Sequence, residues 1–119
     1  METRIFDSEL KVLEVLWNEG DISAKRIAEI LSKNVGWSRT TTYTVIKKCI
    51  DKNLLKRLEP NYICHALITQ NEIRKSEAEM LIDKVFGGSK DMLIATLLSG
   101  DDLNDNEIAK IQEYIKSFK

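Results

Sequence analysis

The sequence predicts a mainly α-helical fold with one small β-hairpin, and three observations lead to this prediction. Helix-type apolar patterns follow one another through residues 7–53. Two short runs around a Pro-Asn pair come next, as in a hairpin, and further helical patterns fill the C-terminal third. A length of 119 residues with 43% hydrophobic content suits one compact domain or two small ones, and we expect a division into residues 1–70 and 71–119.

The first helix is predicted within DSELKVLEVLWNEG, residues 7–20. Asp7 or Ser8 is expected to cap its start, because short polar side chains accept hydrogen bonds from the free N–H groups there. Gly20 is expected to end it. Apolar residues recur at helical spacing at Leu10, Leu13, Leu16 and Trp17.

The second and third helices are separated by the break NVGW, residues 34–37. Ser23, which follows a short extended segment, is the expected N-cap of the second helix. Ser38 is the expected N-cap of the third, which we expect to run to about Asn53. The inward-facing residues of these two helices are Ile27, Ile30, Leu31, Val45, Ile46, Cys49 and Ile50.

The segment LLKRLEPNYICHAL, residues 54–67, changes from the helical period to two short runs. Glu59-Pro60-Asn61 lies between them and supplies turn residues, so a β-hairpin is predicted. A helix-turn-helix followed by a hairpin is the winged-helix arrangement, in which the third helix lies in the DNA major groove and the hairpin contacts the backbone beside it. The sequence therefore predicts a winged helix-turn-helix domain followed by a helical domain.

The third helix has an unusual start, within WSRTTTYTVIKKCIDKNLLKR, residues 37–57. Three threonines and a tyrosine form helices poorly, but short hydroxylated side chains can reach phosphates and base edges from a groove-inserted helix. The alternative interpretation treats the threonines as capping and turn residues. The predicted DNA face consists of Arg39, Thr40, Thr41, Tyr43, Thr44, Lys47 and Lys48, with Lys25, Arg26 and Arg57 as phosphate contacts.

The net charge of −1 conceals an uneven distribution along the chain. Residues 23–66 hold nine basic and three acidic residues, a net charge of +6, whereas residues 1–22 carry −4 and residues 67–119 carry −3. Such asymmetry is the footprint of a local anion-binding face. The alternative is a set of ordinary solvated lysines.

Residues 71–119 contain three helix patterns, with a Gly-Gly-Ser break after the first. Their apolar surface exceeds what so short a segment buries within itself, so we predict a symmetric homodimer that reads a palindromic site. The alternative is that these helices pack back onto the winged helix of a monomer. The predicted dimer contact consists of Leu81, Val85, Ile94, Leu97, Leu98, Ile111 and Ile115.

No catalytic, metal or cofactor site is predicted, since His65 is the only histidine and no Cys-x-x-Cys or glycine-rich phosphate loop is present. Cys64 and His65 are neighbours in a strand and point to opposite faces, which favours a core thiol and a surface histidine over a shared metal. Cys49 and Cys64 suit buried free thiols. No membrane-length apolar run or signal peptide is visible, so we expect a cytoplasmic protein without membrane insertion.

Three segments in a fixed order resemble the penicillinase-repressor family, the BlaI/MecI/CopY group. They are LKVLEVLW, WSRTTTYTVIKKCIDKNLLKR with its Trp-Ser pair before a threonine-led helix, and the C-terminal stretch from EAEMLIDKVF to the end. The resemblance spans nearly the whole chain. It implies a homodimeric transcriptional repressor of a palindromic operator, with a helical dimerisation domain and control of β-lactam resistance or a related stress response.

The resemblance also implies how repression ends. In antibiotic-responsive members a membrane-bound sensor protease cuts the dimerisation domain, commonly at an Asn-Phe bond. Alignment on the Gly-Gly-Ser break places the equivalent bond at Thr96-Leu97, so the residue pair differs here.

Two further positions depart from the family pattern. Glu59-Pro60-Asn61 replaces a wing tip that is often glycine-rich and basic, which leaves Arg57 as the expected phosphate contact of the wing. No cysteine follows Cys64, so copper sensing through a C-terminal cysteine motif is not expected.

Two classes of function follow from these observations: a DNA-binding repressor, and a winged helix used as a protein–protein interaction module without DNA binding. The basic, hydroxyl-rich third helix favours the first class. A docking module would instead present an apolar or acidic patch at those positions.

Overall fold

A computed structural model describes residues 4–99 and 104–117 of the chain. The elements follow in the order α1 (Asp7–Glu19), β1 (Ile22–Ser23), α2 (Ala24–Val35), α3 (Arg39–Asp51), β2 (Leu55–Leu58), β3 (Ile63–Ala66), α4 (Gln70–Val85), α5 (Lys90–Leu98) and α6 (Asp105–Ser117). The predicted class, mainly α with a small β-hairpin, is confirmed. The chain divides into two compact units, Met1–Ser76 and Glu77–Lys119, and the boundary between them falls within α4. The sequence-based division into residues 1–70 and 71–119 stays a prediction.

The start of α1 differs from the prediction, because neither Asp7 nor Ser8 caps it. The helix begins at Asp7, and Phe6 is the residue that precedes it. The Glu9 carboxylate accepts a hydrogen bond from the Phe6 backbone N–H at 2.9 Å, so an acidic residue inside the first turn satisfies a free donor there. At the other end Gly20, at φ 81°, donates its N–H to the carbonyl of Leu16, as predicted.

The predicted caps of α2 and α3 are confirmed. The Ser23 hydroxyl accepts from the N–H of Arg26, and the Ser38 hydroxyl accepts from the N–H of Thr41, each at 3.1 Å. Gly36 ends α2 in the left-handed conformation, at φ 74°, which turns the chain toward α3. Helix α3 ends at Asp51, slightly before the expected Asn53.

The wing is an antiparallel sheet with the strand order β1-β3-β2. Leu55 pairs with Ala66 and Leu58 pairs with Ile63, which confirms the predicted hairpin. The segment expected only to be extended adds the short strand β1, in which Ile22 pairs with Cys64. The sheet therefore ties the wing to the start of α2.

The core of the first unit lies where α1, α2, α3 and the sheet meet, and Ile73 of α4 also packs into it. Cys49 and Cys64 are fully buried free thiols, as predicted. Burial raises the pKa of Cys49 to about 12 and that of Cys64 to about 11, so both thiols are protonated at neutral pH. The largest fully buried apolar residues are Leu13, Ile27, Ile46, Leu55 and Val12.

The second unit contains the end of α4 together with α5 and α6. Gly87 and Gly88, at φ 57° and 86°, separate α4 from α5, and the Ser89 hydroxyl caps α5 by accepting from the N–H of Met92. Within the described residues, no helix is both long and apolar enough to cross a membrane.

Candidate nucleic-acid interface

The N-terminal half of α3 presents one continuous exposed side to solvent. Thr42 is the exception among its threonines, since it is fully buried beneath this side. The seven residues predicted for the DNA face lie outside the core; Tyr43 is half-buried and the others are exposed, namely Arg39, Thr40, Thr41, Thr44, Lys47 and Lys48. Helix α3 thus keeps its apolar side inward and its basic and hydroxyl side outward.

Two of the exposed threonine hydroxyls make local hydrogen bonds. The Thr41 hydroxyl lies 2.9 Å from that of Ser38, and the Thr44 hydroxyl donates to the carbonyl of Thr40 at 2.9 Å. The Thr41 contact matches the capping interpretation, since Ser38 is the N-cap of α3, whereas the Thr44 contact is a bond within the helix. A hydroxyl oxygen that donates locally still has lone pairs with which to accept from an external donor.

Two open grooves meet at the start of α3. The first is lined by residues of the predicted DNA face, from Arg39 to Lys47. The second runs toward α2, between Lys25, Lys33 and Arg39, and Glu29 also lines it. Lys33 was not predicted from the sequence, because a lysine in the last turn of a helix is ordinary in sequence terms.

Aromatic and guanidinium groups connect α3 to the wing. The rings of Tyr43 and Tyr62 meet edge to face, with their centroids 5.8 Å apart. The Arg39 guanidinium carbon lies 5.5 Å from the centre of the Tyr43 ring, and that of Arg57 lies 3.8 Å from the centre of the Tyr62 ring. We call Arg39, Tyr43, Tyr62 and Arg57 the stacked cluster.

Tyr62 was not predicted from the sequence. Its only sequence signal is an aromatic residue directly after a Pro-Asn turn, which indicates a strand start equally well. Asn61 and Tyr62 have φ angles of 73° and 52°, and this left-handed backbone brings the chain back to β3 after the turn.

The predicted phosphate contacts are exposed, but two of them already have carboxylate partners. Arg26 pairs with Glu29 at 3.2 Å, one turn along α2, and Arg57 Nε donates to the carboxylate of Glu59. Lys25 is exposed and lines the second groove.

Lys52 is one of the nine basic residues of segment 23–66, but its side chain contacts α1. Its Nζ atom lies 2.8 Å from Glu9 Oε1 and donates to the carbonyl of Arg4 at 3.0 Å, and it sits 4.3 Å from the centre of the Phe6 ring. Sequence patterning does not reveal a buried Glu9, since the residue is one of several acids on α1. Lys52 therefore pairs with the buried Glu9 at the edge of the core.

Cys64 and His65 face opposite sides of β3, as predicted. Cys64 is buried, whereas His65 is partly exposed and its Nδ1 atom lies 2.9 Å from a carboxylate oxygen of Asp21. Among the residues that the structure describes, no group of three or more His, Cys, Asp and Glu side chains is arranged to hold a metal ion.

A helix-turn-helix, a hairpin wing beside it, and a third helix with a basic and hydroxylated outer side together define a winged-helix protein of the DNA-binding class. A family model described as "Penicillinase repressor" matches residues 5–117, and the chain belongs to this family. The family consists of transcriptional repressors, so the expectation of a regulator that is not an enzyme is confirmed.

Curated relatives match over almost the full chain. The methicillin resistance regulatory protein MecI of Staphylococcus aureus (strain N315) is 25% identical over 113 residues, which cover 93% of this chain and 92% of that protein. The penicillinase repressor of Bacillus licheniformis is 22% identical over 118 residues, which cover 98% and 92%.

Solved structures match the winged-helix part. The DNA binding domain of the repressor BlaI superimposes with a TM-score of 0.53 and 26% identity, over 60% of this chain and 93% of that one. The monomeric form of Bacillus licheniformis BlaI in complex with the blaP half-operator gives a TM-score of 0.53 and 26% identity, over 59% and 88%.

Proposed function

We propose that the chain is a cytoplasmic transcriptional repressor that binds a palindromic operator as a homodimer, with α3 of each subunit in the major groove. The observation that carries this proposal is the outer side of α3, where Arg39, Lys47 and Lys48 surround exposed threonines at the N-terminal half of the helix. The solved BlaI complex with a half-operator supports it, since that relative shares the winged helix.

The proposed roles follow from position. Thr40, Thr41, Tyr43 and Thr44 lie on the first turns of α3, the part of a recognition helix that approaches base edges. Lys47 and Lys48, farther along the helix, suit the phosphate backbone, as do Lys25, Arg26 and Arg57 on the neighbouring elements. Double-stranded operator DNA is therefore the proposed partner.

The proposed dimer contact uses the second unit. Leu81, Val85 and Leu97 are exposed, and Ile94 and Leu98 are half-buried. Ile111 and Ile115 lie in α6, but their side chains fall outside the described residues. Exposed apolar residues on consecutive helices are consistent with a surface that a second copy covers.

Fluorescence anisotropy with the DNA upstream of the chain's own coding sequence tests DNA binding, at about 50 and about 200 mM salt. We expect binding to this DNA to survive the higher salt, while binding to an unrelated duplex is lost. Lys47→Ala should weaken binding to both duplexes, whereas Lys11→Ala, an exposed lysine on α1, should leave it unchanged.

Two results would reject parts of this proposal. Equal affinity for both duplexes at both salt concentrations would reject a specific operator in this DNA. Absence of binding to any duplex would reject the DNA-binding role altogether and would favour the protein-interaction module.

Release of the operator is proposed to follow proteolysis by a membrane sensor protease at Thr96-Leu97. Both residues are exposed on α5, a short helix that Gly87 and Gly88 separate from α4. A short helix opens at less cost than a long one, and a protease needs an open segment. Cleavage there would remove the end of the chain and weaken the proposed dimer.

Mass spectrometry of the protein from cells treated with a β-lactam tests this switch. A fragment that ends at Thr96 is the expected result. An intact chain together with derepressed target genes would reject cleavage and would point to a different signal.

A further inference from the structure

The wing contains an arginine and a carboxylate that bind each other beside the proposed DNA surface. Arg57 lies in β2, and Glu59 follows that strand at the start of the turn. Arg57 Nε donates to Glu59 Oε2, although both side chains are about half exposed, at 49% and 59%. The positive charge of Arg57 is thus neutralised within the wing itself.

The position of Arg57 is fixed by more than this pair. Its guanidinium stacks on the ring of Tyr62 at 3.8 Å, and Tyr62 in turn contacts Tyr43 of α3. A stacked guanidinium loses less conformational freedom on binding an anion than a free side chain does. The stacked cluster therefore presents Arg57 next to the recognition helix, where a DNA backbone would pass.

A carboxylate and a phosphate are chemically similar partners for a guanidinium, since each offers two oxygens that accept charge-assisted hydrogen bonds from the planar guanidinium. We propose that Glu59 occupies, in the free protein, the Arg57 donor that a DNA phosphate takes in the complex. Glu59 then lowers the contribution of Arg57 to DNA affinity. This inference rests on the proposed function, because it requires that α3 and the wing bind DNA.

Competition of this kind has two consequences. A phosphate that takes the Nε donor of Arg57 must displace Glu59, so part of the binding energy is lost. The displaced Glu59 carboxylate also stays near the DNA and retains a cation from solution. DNA binding therefore releases fewer cations in total than it would if Arg57 had no carboxylate beside it. Both the affinity and the salt dependence of binding should be lower than the basic surface suggests.

The test compares the full-length wild type with Glu59→Gln, which keeps the shape of the side chain and removes its charge. Anisotropy titrations use the upstream DNA and an unrelated duplex between about 50 and about 200 mM salt. We expect Glu59→Gln to bind both duplexes about fivefold more tightly, the size of effect that an exposed ion pair allows. The log–log salt slope should become steeper by up to about 0.9, the value for one more phosphate contact.

Two control variants separate the proposed mechanism from a general charge effect. Glu14→Gln makes the same change in net charge at an exposed position of α1, so affinity should stay near the wild-type value. Arg57→Gln should abolish the effect of Glu59→Gln, so that the double variant binds like Arg57→Gln alone. Equal thermal unfolding midpoints would show that the exposed substitutions leave the fold intact.

Each outcome decides between the inference and the function on which it rests. If the wild type prefers the upstream DNA but Glu59→Gln binds no more tightly, the Glu59 inference is overturned and the proposed function stands. If Glu59→Gln strengthens binding equally in the Arg57→Gln background, Glu59 acts by simple repulsion and the inference is again overturned. If the wild type binds no duplex, both fail.

Discussion

At the scale of single residues, the pair of Glu9 and Lys52 ties the end of α3 to α1. Glu9 is 1% exposed, and among the residues that the structure describes its Oε2 atom has no hydrogen-bond partner, so Lys52 is its main compensating charge there. Lys52 lies directly after α3 and also holds the backbone of Arg4. A buried carboxylate with one cation depends strongly on that cation.

We expect Lys52→Ala to lower the free energy of unfolding by about 2 kcal/mol. Breaking a fully buried pair costs roughly 3–5 kcal/mol, and Lys52 keeps about a quarter of its side chain exposed. Lys11→Ala on α1 is the control and should change stability by less than about 0.5 kcal/mol. Chemical denaturation measures both values, and equal values would show that Glu9 does not need Lys52.

The two buried thiols give the stability a pH dependence of known sign. Their pKa values rise from an ordinary 9.0 to about 12 for Cys49 and about 11 for Cys64, mainly through burial. The unfolded chain therefore releases these protons at lower pH than the folded chain, and stability falls as the pH rises above about 9. Denaturation at pH about 8 and about 10 should show this loss, and the loss should be smaller in a Cys49→Ala/Cys64→Ala variant.

At the scale of elements, the sequence predicted most of the first unit because its signals are local. Periodicity located the helices, and Ser23 and Ser38 were predicted as caps because an N-cap depends only on nearby residues. The cap of α1 was predicted wrongly because Phe6 precedes the helix, so Asp7 and Ser8 lie inside its first turn, and Glu9 accepts a hydrogen bond from the N–H of Phe6. Tyr62 and Lys52 were not placed because their partners, Tyr43 and Glu9, are distant in sequence.

Helix α3 should contain two kinds of DNA contact that mutation can separate. Lys48→Ala should weaken every duplex about equally and lower the salt slope by about 1, because a phosphate contact does not depend on sequence. Thr44→Ala should instead change the preference between the upstream DNA and single-base variants of it. Anisotropy with a set of such duplexes measures both effects, and wild-type behaviour of both variants would remove α3 from the interface.

Tyr62 connects the wing to α3 through its aromatic ring, which contacts Arg57 and Tyr43. We therefore expect the ring, and not the hydroxyl group, to matter for DNA binding. We expect Tyr62→Phe to keep near-wild-type affinity, because the stacking with Arg57 and the edge contact with Tyr43 remain. Tyr62→Leu should weaken binding several-fold, while its unfolding midpoint shows whether the fold is retained. Equal losses in both variants would assign the role to the hydroxyl group instead.

At the scale of the whole molecule, the two proposed functions, DNA binding and dimerisation, are assigned to different units. The first unit contains the proposed DNA surface, and the second contains the exposed apolar residues that we assign to the dimer. The sequence-based limit after residue 70 lies at the start of α4, which begins at Gln70 and continues past Ser76. Ile73, in its first turns, belongs to the core of the first unit.

Truncation tests this division directly. A fragment that ends at Ser76 keeps Ile73 and should fold as a monomer, whereas one that ends after residue 70, the predicted limit, loses a 95% buried side chain and should be about 2–5 kcal/mol less stable. The Ser76 fragment should bind a single half-site as well as the full chain does, because its DNA surface is complete. On the full palindrome it should bind about 10²–10⁴-fold more weakly, since the second half-site no longer adds effective concentration. Sedimentation measures the oligomeric state of each fragment, and anisotropy measures its DNA affinity. A dimeric Ser76 fragment would place the subunit contact in the first unit.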